Sequence, residues 1–284
     1  MEFRTPVTIT LAPFAIEPRE RMLFVGSCFA DNIGRRFVDD KFRATVNPYG
    51  VMYNPASIMH TVKRWTEELV AAQSEASDSG SAVRQAISEA PQTAVFTLGT
   101  NHVYILNETG EIVDNCRKRP QRLFTEHELS VDECADYLRE AVTMLRQINS
   151  SVRIIITVSP IRYAKYGFHG SQLSKATLLL AADKLTKEMD NVVYFPAYEI
   201  VNDELRDYRF YREDMLHPTD QAVEYIWQRF GETFFSKQTV KFLEEWRPIK
   251  AALAHRPFNP EAEEYKKFLE KAKEGERELM ERYK

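Results

Sequence analysis

Met22-Leu23-Phe24-Val25-Gly26-Ser27-Cys28-Phe29-Ala30 is the stretch on which the reading of the chain turns. Four apolar residues closed by a glycine read as a short buried strand. Directly after it, Phe29, Ile33, Phe37 and Val38 recur at helical spacing on one face. Ser27 therefore stands where a strand turns into a helix. A serine there can simply cap the helix, its side-chain oxygen accepting from a first-turn N–H. It can equally be a nucleophile at a sheet edge, with the free N–H groups and dipole of a helix N-terminus behind it. Taken alone, this stretch carries either reading.

Outward from Ser27 the same alternation repeats. Residues 44–46 read as a second strand, followed by the turn-rich loop 47–55, and Pro55 suits the first turn of a helix running to about residue 68. Residues 71–92, rich in Ala, Ser and Gln, read as a flexible surface loop with some helix after it. Residues 94–98 form the next strand, ending at Gly99. Residues 102–106 and 111–114 flank Asn107-Glu108-Thr109-Gly110 as a hairpin. Residues 130–148 read as a helix opened by a capping box, Ser130 with Glu133 three on. Residues 152–158 are the strongest strand, β-branched and almost wholly apolar. A helix over 171–189, a strand over 192–195 and a helix over 219–235 complete the pattern. Continuous apolar strands alternating with helices predict an α/β domain, a parallel sheet covered on both faces, over residues 1–237. Residues 238–284 are charged and helical, broken by Pro248 and by the run 256–260. They read as an appendage that packs on the core or on a second copy, a possible homo-oligomer contact.

The chain has 284 residues, with 38 basic against 42 acidic, a net charge of -4. That balance offers no basic face for nucleic acid. Cys28, Cys116 and Cys134 make a poor disulfide framework and contain no Cys-x-x-Cys pair. The histidines show no metal spacing, and no phosphate loop or dinucleotide fingerprint is present. No stretch approaches the ~18 apolar residues of a membrane span, and the first residues lack a signal-peptide pattern, so the expectation is a soluble, cytoplasmic protein without membrane or nucleic-acid partners.

In open α/β sheets ligands gather beyond the carboxyl ends of the strands, and polar residues stand at several of them. Besides Ser27 there is Asp214-Met215-Leu216-His217-Pro218, where a carboxylate and an imidazole three apart on a turn can face one another. That pairing fixes a histidine's tautomer for general-base work. Asn101, after the strand ending at Gly99, can donate an amide N–H to an oxyanion. Gly50, in the loop after the second strand, permits close approach of a backbone N–H. Each of the three also has a local use: an incidental His on a turn, an Asn satisfying its own turn, a turn glycine. Arg162, past the strongest strand, suits an anionic group or a salt bridge. Cys28 could offer a thiolate in place of Ser27, but one step into the helix it should point toward the sheet as apolar filler.

The order Ser, Gly, Asn, Asp-x-x-His is that of the four blocks of SGNH hydrolases. Val25-Gly26-Ser27-Cys28-Phe29-Ala30, Asn47-Pro48-Tyr49-Gly50-Val51, Thr97-Leu98-Gly99-Thr100, Val158-Ser159-Pro160-Ile161-Arg162, Gln172-Leu173-Ser174-Lys175-Ala176 and Glu213-Asp214-Met215-Leu216-His217-Pro218 resemble the GSCFA family. That resemblance spans roughly residues 23–231 and implies a flavodoxin-like three-layer α/β/α sandwich. It also implies ester or related acyl hydrolysis with no metal or organic cofactor. Carried over by position, Ser27 is the nucleophile, Asp214 and His217 complete the triad, and Ser27, Gly50 and Asn101 form the oxyanion hole. His102 stands where the superfamily's third block has Asp. His102 and Arg162 are the candidate substrate contacts. The expected substrate is a small-molecule or glycan ester, such as an O-acetylated sugar. The alternatives are an acyltransferase on the same triad, or a non-catalytic binding module on this fold.

Overall fold

The structure is a computed structural model that describes residues 4–74 and 89–284. Five parallel strands form the central sheet: β1 (Arg21–Gly26), β2 (Arg43–Val46), β3 (Thr93–Leu98), β7 (Arg153–Val158) and β8 (Val192–Tyr194), in the order β2-β1-β3-β7-β8. All four pairings are parallel. Within the strands the side chains alternate between two cores. Leu23, Val25, Ala94, Phe96, Ile154 and Ile156 enter one. Met22, Phe24, Val95 and Ile155 enter the other. A strand apolar on both faces needs cover on both, which is why these runs carry no polar alternation. Helices α2 (Pro55–Ser74), α3 (Val131–Ile148) and α4 (Gly167–Glu188) bury residues in or against the first core. Helices α1 (Cys28–Asp39) and α5 (Asp220–Phe234) serve the second. The result is the expected three-layer α/β/α sandwich. Counting only the strands of this sheet, the order is the flavodoxin-like one, and its switch point lies between β1 and β3.

The second core is largely aromatic. Phe37 of α1 has ring centroids 5.1 Å from Phe24, 4.8 Å from Phe42 and 4.9 Å from Trp227. The helix Lys237–Ala254 (α6) and the helix Glu263–Arg282 (α7) extend it, burying Phe242, Trp246 and Leu279. Trp246 Nε1 donates to Asp39 O at 3.2 Å, and Lys41 pairs with Glu276 at 2.7 Å. The charged tail is therefore packed on the sandwich.

Several expectations need correction. Pro248 lies inside α6 and does not end it. It sits on the exposed face, where water can satisfy the carbonyl that a proline leaves free, while Trp246 anchors the buried face. The expected hairpin, β4 (His102–Leu106) with β5 (Ile112–Val113), gains a third strand, β6 (Phe124–Glu128). Phe-Thr-Glu-His-Glu is mostly exposed and carries no apolar run, so its pattern does not announce a strand. Helix α2 runs on to Ser74, into the expected 71–92 loop, most of which lies outside the described residues.

Candidate functional site

Ser27 is the N-cap of α1, extended at φ -65° and ψ 175°, and its Oγ accepts from Phe29 N at 3.3 Å. The helix-cap reading is thus realised. Gly26 before it has φ +145°, and a Cβ there would stand 2.2 Å from Thr97 O. Only glycine lets β1 run this close to β3, so the first letter of the motif is a packing requirement. Asn47 Oδ1 accepts from Gly26 N at 2.9 Å, and its amide donates to Asp31 at 2.7 Å. The turn is held from both sides. Ser27 Oγ also lies 3.2 Å from Thr97 Oγ1, and no hydrogen bond joins it to His217 among the described residues.

Asp214 and His217 do pair. Asp214 Oδ2 and His217 Nδ1 are 2.6 Å apart, while Asp214 Oδ1 accepts from the backbone N of Leu216 at 2.8 Å and of His217 at 2.9 Å. These donors, the His217 backbone N–H first, hold the Asp214 carboxyl down at about 2. Met215 takes a left-handed φ of 59°, closing the turn tightly. Arg162 fastens it: its backbone N donates to Leu216 O and its guanidinium to Met215 O, both at 3.0 Å. The guanidinium also lies 3.9 Å from the centroid of the Phe168 ring. No carboxylate pairs with it among the described residues.

Ser27 and His217 line one cleft of about 260 Å³, together with Cys28, Tyr53, Arg162 and Tyr163. Its walls are mainly apolar and aromatic. A second cavity, of about 240 Å³, shares Arg162 and is lined by Gln172, Asn202, Asp207, Tyr208 and Tyr211. A larger hollow of about 420 Å³ between α2 and the β4–β5 hairpin holds neither Ser27 nor the Asp–His pair.

The other expected residues fall elsewhere. Gly50 N–H closes a turn onto Asn47 O at 2.8 Å. Asn101 Nδ2 donates to Leu129 O at 2.8 Å, with its backbone N bound to Ser174 Oγ at 3.0 Å. Neither residue lines the cleft on which Ser27 opens. Ser27's own N–H donates to Thr97 O at 3.1 Å. The three-donor oxyanion hole is therefore not assembled in this structure. His102 is buried and stacked on the Tyr166 ring, centroids 3.6 Å apart, beside Glu126 at 3.7 Å. Burial lowers its pKa, and it supports the segment that walls the cleft without lining the cleft itself. Cys28 is half-buried and lines the cleft, its Sγ 3.7 Å from Tyr53 Oη. The inward position belongs to Phe29, 1% exposed, because the apolar face of α1 begins one residue later.

Neither Tyr53 nor Tyr163 is singled out by the sequence, and Thr97 and Ser159 stand there only within family phrases, with no role attached. Ser159 and Thr97 stand at or beside strand ends and the strand-end rule reaches them, whereas the tyrosines lie in loops with no pattern. Lys175 was noted only within a family phrase. Its Nζ is buried and bound to the carbonyls of Gly99 and Ser159 at 2.7 and 2.8 Å.

The chain belongs to the GSCFA family: the family's model matches residues 21–79 and 65–230. A second model, the C-terminal domain of GSCFA proteins, matches residues 246–284. No curated protein matches the sequence. Among solved structures, a Clostridium thermocellum family 3 carbohydrate esterase superposes with a TM-score of 0.42 at 10% identity, over 80% of this chain and 98% of that one. A family 3 carbohydrate esterase from Talaromyces cellulolyticus gives 0.40 at 10% identity, over 80% and 99%. The family assignment rests on the model matches alone. Among the described residues no helix is long and apolar enough to cross a membrane, and no group of His, Cys, Asp or Glu is arranged to hold a metal.

Proposed function

We propose that this protein is a serine hydrolase that cleaves a short acyl group from a polar, hydroxyl-rich substrate. Ser27 is the nucleophile, His217 its general base and Asp214 the residue that orients the base. The observation that carries this reading is the 2.6 Å Asp214–His217 pair opening on the same cleft as Ser27. In it His217 takes the Ser27 proton as Oγ attacks the acyl carbon. His217 then gives that proton to the leaving alcohol, takes another from the water that attacks the acyl-enzyme, and passes it to Ser27 Oγ as the acid leaves. Because Ser27 Oγ bonds Thr97 and Phe29 at rest, the reading requires a side-chain rotation toward His217 on substrate binding, a tightening common in unliganded sites.

Stabilisation of the oxyanion falls to the start of α1. The Cys28 N–H has no acceptor among the described residues, and the helix dipole adds to it. Gly50 and Asn101 join only if the loops bearing them shift. The small apolar cleft suits an acyl chain such as acetyl. The adjoining cavity, with amides, a carboxylate and tyrosine rings around Arg162, suits a sugar or other polyol. An acyl acceptor other than water would use the same machinery. Self-association through the C-terminal helices would draw on the exposed Phe268 and on Phe258 in the link between them, and the native mass in solution tests it.

The test is a panel of acetyl to octanoyl esters, each on a simple phenol and on a methyl glycoside. The expected result is turnover of the short glycoside esters, lost by roughly 10³-fold or more in Ser27→Ala and His217→Ala. Turnover that survives in Ser27→Ala overturns the reading.

A further inference from the structure

Among the described residues Lys175 is the one buried lysine, at 2% exposure. It lies on α4, whose Ser171, Ser174, Leu178 and Leu185 share its buried face. Its two acceptors are the carbonyls of the residues that directly follow β3 and β7, Gly99 and Ser159. Both residues line the cleft with Ser27. Neighbouring strands lie about 5 Å apart, and β3 stands between β1 and β7, so the Nζ sits within roughly 10 Å of the Ser27 turn. The ring of Tyr198, centroid 5.9 Å away, faces it from the segment after β8. No carboxylate pairs with it among the described residues. A buried amine with no counter-ion is costly when charged, and two carbonyls compensate that cost only in part. Burial lowers its pKa to about 7.

The three expected oxyanion donors are each turned to another acceptor. The positive groups near the acyl site are then the α1 N-terminus, Arg162, Lys165 and this lysine, and Lys165 is neutralised by Glu126, 3.1 Å from its Nζ. Arg162 is engaged by the Asp-x-x-His turn. We propose that Lys175 is a positioning residue of the cleft: it ties the ends of β3 and β7 into one floor and, when protonated, sets a positive charge close to the oxygen that becomes the oxyanion. This rests on the serine-hydrolase reading. A unit charge at that range in a partly buried site is worth roughly ten-fold in rate. The charge disappears as the pH rises through about 7, so its contribution belongs to the acidic side of that point.

Two measurements on the full chain test it. First, the pH profiles of ester turnover are compared for the wild type, Lys175→Gln and Lys175→Arg, with thermal melts reporting folding. The glutamine keeps a neutral donor, the arginine a fixed charge. The expected result is a roughly ten-fold lower kcat in Lys175→Gln on the acid side, with the fall in kcat above about pH 7 gone while the limb set by the general base stays, and rescue in Lys175→Arg. A folded Lys175→Gln with the wild-type kcat and profile overturns the proposal. Second, the wild type with 13C-labelled lysine is titrated by NMR, free and with a fluorophosphonate adduct on Ser27 that has displaced fluoride and then lost its alkoxy group to water, so that a phosphonate monoanion stands in for the oxyanion. The Lys175 midpoint is expected to rise in the adduct by roughly half a pH unit or more. An unmoved midpoint overturns the proposal even where the variants do not fold. A wild type that takes no label overturns the hydrolase reading and with it this one. Labelling with an unmoved midpoint overturns this one alone.

Discussion

Gly26 and Ser27 do different work although they adjoin. With its missing Cβ only 2.2 Å from Thr97 O, Gly26 sets how closely β1 approaches β3. Gly26→Ala is expected to lose about 2–4 kcal/mol of stability, read from the urea midpoint at unchanged slope. Lys175 gives a second prediction at this scale. Its folded pKa, about 7, lies below that of the same amine in the unfolded chain. Between those two values the unfolded chain holds a proton that the folded chain lacks, so this group makes stability rise with pH from about 7 toward about 10, and adds no slope below 7. The stability of the wild type relative to Lys175→Met is therefore expected to climb over that interval in denaturant titrations at successive pH. A flat difference would place the amine elsewhere. Ser27 and the Asp214/His217 pair were legible at residue scale because strand end, cap and a three-residue spacing are local. The use of Asn101 was not, since its amide goes to Leu129, a residue brought in by β6 and the start of α3.

Elements explain how the local features become a site. The turn after residue 213 is held by Arg162, in the segment beyond the end of β7, through Leu216 O and Met215 O. Arg162→Leu is expected to lower kcat/KM by roughly 10–100-fold by loosening His217, with the fold retained in circular dichroism. The central strands β1, β3 and β7 were legible because they are buried on both faces and almost wholly apolar, whereas the edge strand β2, Arg-Ala-Thr-Val, is only partly buried. β6 escaped because it is half in water and polar, and α6 ran through Pro248 because tertiary anchors outweigh one missing N–H. The capping box at Ser130 appears as expected, Ser130 Oγ accepting from Glu133 N at 3.2 Å and Glu133 returning to Ser130 N at 2.8 Å. Ser130→Ala is expected to cost about 1 kcal/mol, a lowering of Tm by about 2–4 °C.

At the scale of the whole molecule, the sandwich and its C-terminal helices share one aromatic core. Trp246 and Phe242 are buried beside Phe37 and Phe230. Trp246→Ala is expected to cost about 3–5 kcal/mol, and a chain cut after residue 236 to aggregate as its second core is laid open. The central claim, that Ser27 is a nucleophile activated by His217, is tested most directly by mass spectrometry after treatment of the folded protein with a fluorophosphonate. The account requires one phosphonyl group on Ser27 in the wild type, none in Ser27→Ala and markedly slower labelling in His217→Ala. A folded wild type that stays unmodified, or carries the group on another residue, would contradict it.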